Sequence, residues 1–132
     1  MPATKPFSVR RTSAGLGLVA NNEYKKGDFI IEYTGEIITD AEADERANRY
    51  LFEINGRWTI DGSGRTNLAR YINHSCRPNA EAEVDERAKK VRIYAKKRIE
   101  AGDELTYDYG KVHFDEYIRP NGCKCEKCME KQ

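Results

Sequence analysis

The chain has 132 residues, 39% hydrophobic and 34% charged, which fits one domain around one modest core. Its charges nearly cancel, at a formal net charge of +1, so it lacks the basic field that holds nucleic acid nonspecifically. No run reaches the roughly 18 apolar residues of a membrane span, and the first six residues have no apolar stretch of signal-peptide type; a soluble intracellular protein with a flexible start, 1–6, is expected.

In chain order, Phe7–Arg10 alternates and predicts a short strand. Gly15-Leu16-Gly17 follows, predicting a loop whose backbone can approach a ligand or simply turn. The Lys26-Gly27-Asp28 turn leads into a β-rich strand, Phe29–Tyr33, and then Glu36–Ile38. Thr39 with Glu42 three residues on forms a capping box. The pairs Glu42–Arg46 and Glu45–Arg49 have the spacing and polarity that support the helix it starts. That helix carries few large apolar residues and is expected at the surface. Asn55-Gly56, between Tyr50–Ile54 and Arg57–Ile60, predicts a two-residue hairpin turn. Thr66–Ile72 predicts a helical turn, Ala80–Val84 and Lys90–Ala95 two strands, and Leu105–Tyr109 another strand. His113–Ile118 predicts a last helical turn. Many short strands and one modest helix make a mostly β domain.

Four cysteines remain. Cys123, Cys125 and Cys128 are crowded into a tight C-terminal loop, while Cys76 stands alone. Crowded thiols pair poorly with one another, and three sulfurs spaced this way can reach one ion. With Cys76 as the fourth ligand, one zinc ion is saturated and therefore structural, not hydrolytic. Disulfides and unrelated thiols are the competing readings. Tyr107 and Tyr109, two apart on a strand, point to one face, as packing tyrosines also do. Asn73 and His74 equally fit a polar pair that satisfies backbone groups.

In order and spacing, Gly15-Leu16-Gly17-Leu18, Glu32–Glu36, Asn73-His74-Ser75-Cys76-Arg77-Pro78-Asn79, Gly102–Tyr109 and the C-terminal cysteines resemble the SET-domain protein lysine methyltransferases. The resemblance spans about Phe7 to Cys128, and its Asn-His-Ser-Cys and Glu-Leu-Thr-Tyr-Asp-Tyr motifs are its most specific parts. It implies a fold of several small sheets with a pseudoknot-like crossing of the C-terminal strand through the Asn73–Cys76 loop, an exception to the rule against threading. It divides the chain into a catalytic domain, 7–118, and a post-SET zinc tail, 119–132. It implies S-adenosylmethionine as cofactor, contacted by Gly15, Leu16, Gly17, Tyr50, Asn73 and His74. Tyr109 takes the catalytic place, and Tyr107 the place that limits how many methyls are added. Cys76, Cys123, Cys125 and Cys128 match the zinc ligands. Phe114 is a candidate to stack on adenine, and Tyr33–Ile37 a candidate edge for peptide addition.

The chemistry agrees with that resemblance. Lysine, with a solution pKa near about 10.4, must lose its proton before it can attack, and burial beside a sulfonium favours the neutral amine. Positioning by a tyrosine and backbone carbonyls then does most of the work. Mono- or dimethylation of a protein lysine, of a histone or another protein, is the expected product. The competing functions are a catalytically silent peptide-binding module and a zinc-stabilised nucleic-acid binder, the latter opposed by the net charge. The location expected is cytoplasmic for a bacterial protein, and nuclear or chromosomal for a eukaryotic one. The last cysteine spacing, two residues, is shorter than the family's usual gap and bears on how the tail packs against the cofactor.

Overall fold

The computed structural model describes residues 5–12 and 15–109. The expected helical turn at His113–Ile118, Phe114 and the three tail cysteines lie outside these residues.

Strands β1 (Phe7–Thr12) and β2 (Gly15–Ala20) form an antiparallel hairpin in register from Phe7 opposite Ala20 to Thr12 opposite Gly15. Gly15–Gly17 is therefore strand, not the expected loop. The reason is the burial of Leu18, Val19 and Ala20 just behind it, which commits the whole run to the sheet. Ahead of β1, the Lys5 and Pro6 carbonyls accept hydrogen bonds from Asn21, so the chain is tied before the first strand begins.

Strand β3 (Phe29–Tyr33) is an edge of a three-stranded antiparallel sheet with β9 (Lys90–Ala95) at its centre and β8 (Ala80–Asp85) beyond. A second sheet orders β4 (Glu36–Thr39), β6 (Trp58–Asp61) and β5 (Leu51–Glu53), with β4 and β5 both antiparallel to β6. The expected two-residue turn at Asn55-Gly56 is replaced by a wider loop. Ile54 N–H donates to Trp58 O (2.9 Å), and the Asn55 side-chain oxygen accepts from the N–H groups of both Arg57 and Trp58 (2.8 and 3.0 Å). Asn55 thus serves as a side-chain turn and removes the need for a positive φ at Gly56, which has none.

Helix α1 (Asp40–Arg46) starts at the Thr39–Glu42 capping box and buries none of its residues. It stops at Ala47, which takes a left-handed φ of 41°. Arg49 lies beyond that stop, so the expected Glu45–Arg49 helical pair does not form. Glu42 and Arg46 do meet, at 3.8 Å.

Arg46 also donates to Glu36 (2.7 Å) and to Asp61 (2.9 Å), tying the helix to both β4 and β6. Burial alone would raise the Asp61 carboxyl, but hydrogen bonds from Ser63, Arg46 and Asn48 outweigh it and hold it down to about 2. A carboxylate depressed on folding stabilises above its unfolded pKa and loses that contribution as pH falls through the folded value. Urea unfolding should therefore lose about 1–2 kcal/mol between roughly pH 4 and pH 2, discounted for the partly exposed Arg46. Asp61→Asn should be less stable at pH 7 and show a flatter loss; an unchanged slope would remove Asp61 from the account.

A 3₁₀ turn, Leu68–Tyr71, leads into β7 (Asn73–His74), which pairs in parallel with β10 (Thr106–Tyr107). The strand expected over Leu105–Tyr109 is only these two paired residues. Strand β10 is gripped from several sides. Leu105 N–H donates to Leu18 O (2.8 Å), and Ser75 N–H donates to Tyr107 O (3.2 Å). Asn79 acts as a further strand: its side chain accepts from Thr106 N–H (2.9 Å) and donates to Glu104 O (2.8 Å). The core beneath, including Leu18, Ile60, Ile72, Ile93, Ile99 and Leu105, draws the hairpin, both sheets and β10 together. Each such fully buried side chain stabilises by about 1.5–3 kcal/mol.

Candidate active site

The parallel pair β7–β10 places the polar residues of one motif beside the tyrosines of the other. Asn73 lies opposite Thr106, and His74 opposite Tyr107. From this seam Asn73 reaches the first hairpin. Its side-chain nitrogen donates to Glu104 Oε2 (2.8 Å) and Leu16 O (3.1 Å), with Thr12 Oγ1 at 3.5 Å. The Asn73–Gly17 juxtaposition needs the glycine: a Cβ on Gly17 would stand 2.7 Å from Glu104 Oε2 and 3.0 Å from Asn73 Nδ2. Gly15, with a φ of 103°, takes a backbone conformation that other residues adopt poorly. Gly15, Leu16, Gly17 and Asn73 are thus brought together, with Gly15 and Leu16 exposed.

His74 is buried. Its Nδ1 accepts from Tyr109 N–H (3.1 Å), which assigns the ring proton to Nε2, 3.5 Å from Cys76 Sγ. The histidine therefore links the backbone at Tyr109 to Cys76. Asp108 Oδ1 is 3.8 Å from Nδ1.

Four aromatic rings and the His74 imidazole form a continuous cluster. Tyr33 packs on Phe52 (5.3 Å between centroids), Phe52 on Tyr107 (6.3 Å), Tyr107 on Tyr109 (4.8 Å) and Tyr109 on His74 (5.4 Å). Tyr109 O–H donates to Ile72 O, and Tyr33 O–H donates to Tyr50 O (2.6 Å). Burial raises all three phenols above the ordinary tyrosine value; for Tyr107 the neighbouring Tyr109 and Tyr33 add to this. All three stay protonated at neutral pH. The Tyr109 proton is committed to Ile72 O, so toward any other group its oxygen can only accept. The Tyr107 hydroxyl makes no hydrogen bond among the described residues.

Tyr50 joins the site less directly. Its carbonyl accepts from Tyr33 O–H and Gly62 N–H, and its ring lies under the Arg70 guanidinium, 4.4 Å from the centroid. Gly62 is pressed against the Tyr33 ring, where a Cβ would collide. Sequence reasoning gave no role to Phe52, Glu104 or Asn79 and placed Tyr33 only at the peptide edge. Tyr33 and Phe52 looked like ordinary strand aromatics; only cross-sheet packing brings them to Tyr107. Tyr33–Ile37 spans the end of edge strand β3 and the start of edge strand β4, both of which leave one side unpaired among the described residues.

Of the four expected metal ligands, Cys76 lies at the rim of this site and the other three fall outside the described residues. Among the described residues, no group of three His, Cys, Asp or Glu side chains could hold a metal ion. No helix there is long and apolar enough to cross a membrane.

Comparison with known proteins places this arrangement. The SET domain family model matches residues 15–110. The chain is 37% identical to the histone-lysine N-methyltransferase ASHR3 of Arabidopsis thaliana, over 92% of this chain and 26% of that protein. It is 41% identical to the histone-lysine N-methyltransferase set1 of Dictyostelium discoideum, over 86% of this chain and 8% of that protein. Among solved structures it resembles the polycomb repressive complex 2 of Chaetomium thermophilum, with a TM-score of 0.73 and 30% identity, covering 83% of this chain and 16% of that one. The chain thus spans about a quarter or less of these relatives.

Proposed function

The chain belongs to the SET-domain family, and on that premise we propose that it is a protein-lysine N-methyltransferase using S-adenosylmethionine. Its substrate is a lysine side chain of a histone or another protein, as the names of its relatives indicate for them. The observation that carries this reading is the β7–β10 seam, which sets Asn73 beside the exposed Gly15–Leu16 backbone, Tyr109 in ring contact with His74 and Tyr107 in ring contact with Tyr109.

The cofactor fits the residues present. Gly17 has no Cβ to crowd Asn73, and the Asn73 amide beside the exposed Gly15–Leu16 backbone presents polar groups suited to the cofactor's amino-acid end. Gly15, Leu16, Gly17, Tyr50, Asn73 and His74 hold it. When bound, it supplies an electrophilic methyl on a sulfonium.

The protein's own residues do the rest. The aromatic cluster of Tyr33, Phe52, Tyr107 and Tyr109 forms a slot in which a charged ammonium is poorly solvated, so the lysine enters as the neutral amine. The Tyr109 oxygen accepts an amine N–H, its own proton being held by Ile72 O, and this turns the nitrogen lone pair away from Tyr109. Positioning of this kind accounts for large rate gains without a strong base. Strand edges at Tyr33–Ile37 hold the peptide by strand addition. Clasping of β10 by the Asn73–Asn79 loop supports the pseudoknot-like crossing. Cys76, with Cys123, Cys125 and Cys128, ligates one structural zinc; four thiolates saturate a tetrahedral ion and leave no position for a reacting water. The catalytic domain runs over 7–118, and the tail over 119–132 completes the slot.

The product is mono- or dimethyl-lysine. The unengaged Tyr107 hydroxyl can bond the amine or a water and occupy the room a third methyl needs. Methyl transfer from labelled cofactor to core histones and to a cell extract tests the activity; no incorporation into any protein despite cofactor binding would favour a silent module. With an accepted substrate, mass spectrometry should show Tyr107→Phe shifting product toward trimethyl-lysine by about tenfold, for one lost hydrogen bond. Abundant trimethylation by the unaltered protein would sink the mono- and dimethyl assignment.

A further inference from the structure

The Glu104 side chain belongs to none of the residues assigned above to cofactor, substrate or metal, yet its position is among the most constrained in the chain. Its backbone bridges Val19 on β2, and its carbonyl is held by Asn79 Nδ2 (2.8 Å). The following residue donates from Leu105 N–H to Leu18 O. With the backbone pinned on both flanks, the carboxylate is delivered to Asn73 Nδ2 at 2.8 Å.

A primary amide has two N–H donors and one oxygen acceptor. The two shortest contacts of Asn73 Nδ2 are Glu104 Oε2 and Leu16 O, and they use both donors. Flipping the amide would set its oxygen against a carboxylate and a carbonyl, three acceptors with no proton between them. Glu104 therefore selects one of the two amide orientations, the one that turns Asn73 Oδ1 away from the hairpin. Leu16 O alone, an exposed neutral carbonyl, discriminates less, because bonds to charged groups are roughly twice as strong as neutral ones. The room for this carboxylate is provided by Gly17, where any Cβ would displace it.

We propose that Glu104 is a positioning residue that locks the Asn73 amide with its oxygen presented to the amino group of S-adenosylmethionine, so that its loss costs recognition of the cofactor's amino-acid end and spares the nucleoside end. The inference rests on the cofactor reading above and extends it to a residue that acts through Asn73.

Isothermal titration with two ligands separates this from a purely structural tie: S-adenosylhomocysteine, which has the amino-acid tail, and methylthioadenosine, which lacks it. Glu104→Ala should weaken S-adenosylhomocysteine about tenfold, the loss of one charge-assisted orientation, and leave methylthioadenosine within about twofold. Glu104→Gln, which keeps an acceptor for Asn73, should recover most of the loss. Should the alanine variant fail to fold, Glu104→Asp, which withdraws the carboxylate by one methylene, is read by the same ratio of the two ligands. Unchanged S-adenosylhomocysteine affinity, or equal weakening of both ligands, overturns the role of Glu104 while leaving the cofactor reading intact. Failure of the unaltered protein to bind either ligand overturns both.

Discussion

Tyr109→Phe is expected to lower the rate of methyl transfer by about 10²-fold or more, with cofactor affinity nearly unchanged. The substitution removes a single oxygen. In the proposed mechanism that oxygen accepts the amine N–H and is itself held by its donated hydrogen bond to Ile72 O, so two constraints on the amine vanish together. Misplacement of a reacting group by about 1 Å can cost about 10² in rate. The cofactor contacts proposed for Asn73 and the Tyr109 backbone bond to His74 Nδ1 do not involve the phenol and should survive. The fold should lose only about 1 kcal/mol, the net value of one buried hydrogen bond. Single-turnover rates with saturating cofactor, beside a melting curve, check this. A phenylalanine variant within threefold of the unaltered rate would take Tyr109 out of the chemistry. One whose melting point collapses would make the hydroxyl a structural group instead.

The second large effect falls on stability. Gly35→Ala is expected to cost about 3 kcal/mol, at the upper end of overpacking, a large fraction of the stability of a domain this size. Gly35 sits between β3 and β4, and the first atoms its Cβ would strike are the Asp61 carbonyl oxygen and carbon, with an Ile60 methyl behind. These belong to the backbone of β6, the central strand of its sheet, and cannot rotate away. Gly17 presents the opposite case, since its neighbours are side-chain ends that can shift. Urea titration of Gly35→Ala against the unaltered chain measures the difference. A midpoint within experimental error of the unaltered protein would mean that the β3–β4 connection can yield, and with it the proposed peptide edge at Tyr33–Ile37.

How much of this was legible beforehand depended on the range of the interactions. The capping box at Thr39 and Glu42, the surface helix and the 3₁₀ turn at Leu68–Tyr71 formed where expected, because neighbours within four residues determine them. Strands β3, β8 and β9 were likewise written in local alternation and β-branched composition. Errors came where a distant partner overruled a local preference. Gly15-Leu16-Gly17 reads as a loop by composition, but pairing of Leu18–Ala20 with Asp103–Leu105 and burial in the core keep it in a strand. Asn55-Gly56 has the composition of a tight turn, yet the Asn55 side chain bonds two N–H groups and opens a wider loop.

The site divides in the same way. Asn73, His74, Tyr107 and Tyr109 could be named from motif order, and the structure brings them together at one seam. Tyr33 and Phe52 could not, since nothing in their own strands marks the face they share with Tyr107. Glu104 lay inside a recognised motif without an assigned task, because its task depends on the orientation of an amide 31 positions earlier.

The parallel seam between β7 and β10 has a consequence for the order of folding. Asn73 must find Thr106, and His74 must find Tyr107, across the whole β8–β9 hairpin, which can close on its own from neighbouring residues. Pairings of such separation pay their loop-closure entropy before they are rewarded and therefore form late. The β1–β2 and β8–β9 hairpins and the β4–β6–β5 sheet are assembled from shorter-range contacts made earlier, while β3 joins β9, and Leu105, Tyr107 and Tyr109 dock beside Leu18, Ser75 and Asn79, from longer-range contacts made afterwards. A growing polypeptide that has not yet released Tyr109 from the ribosome can thus form its hairpins and still lack the proposed reaction centre. The proposed reaction centre is thus among the later parts of the fold to form.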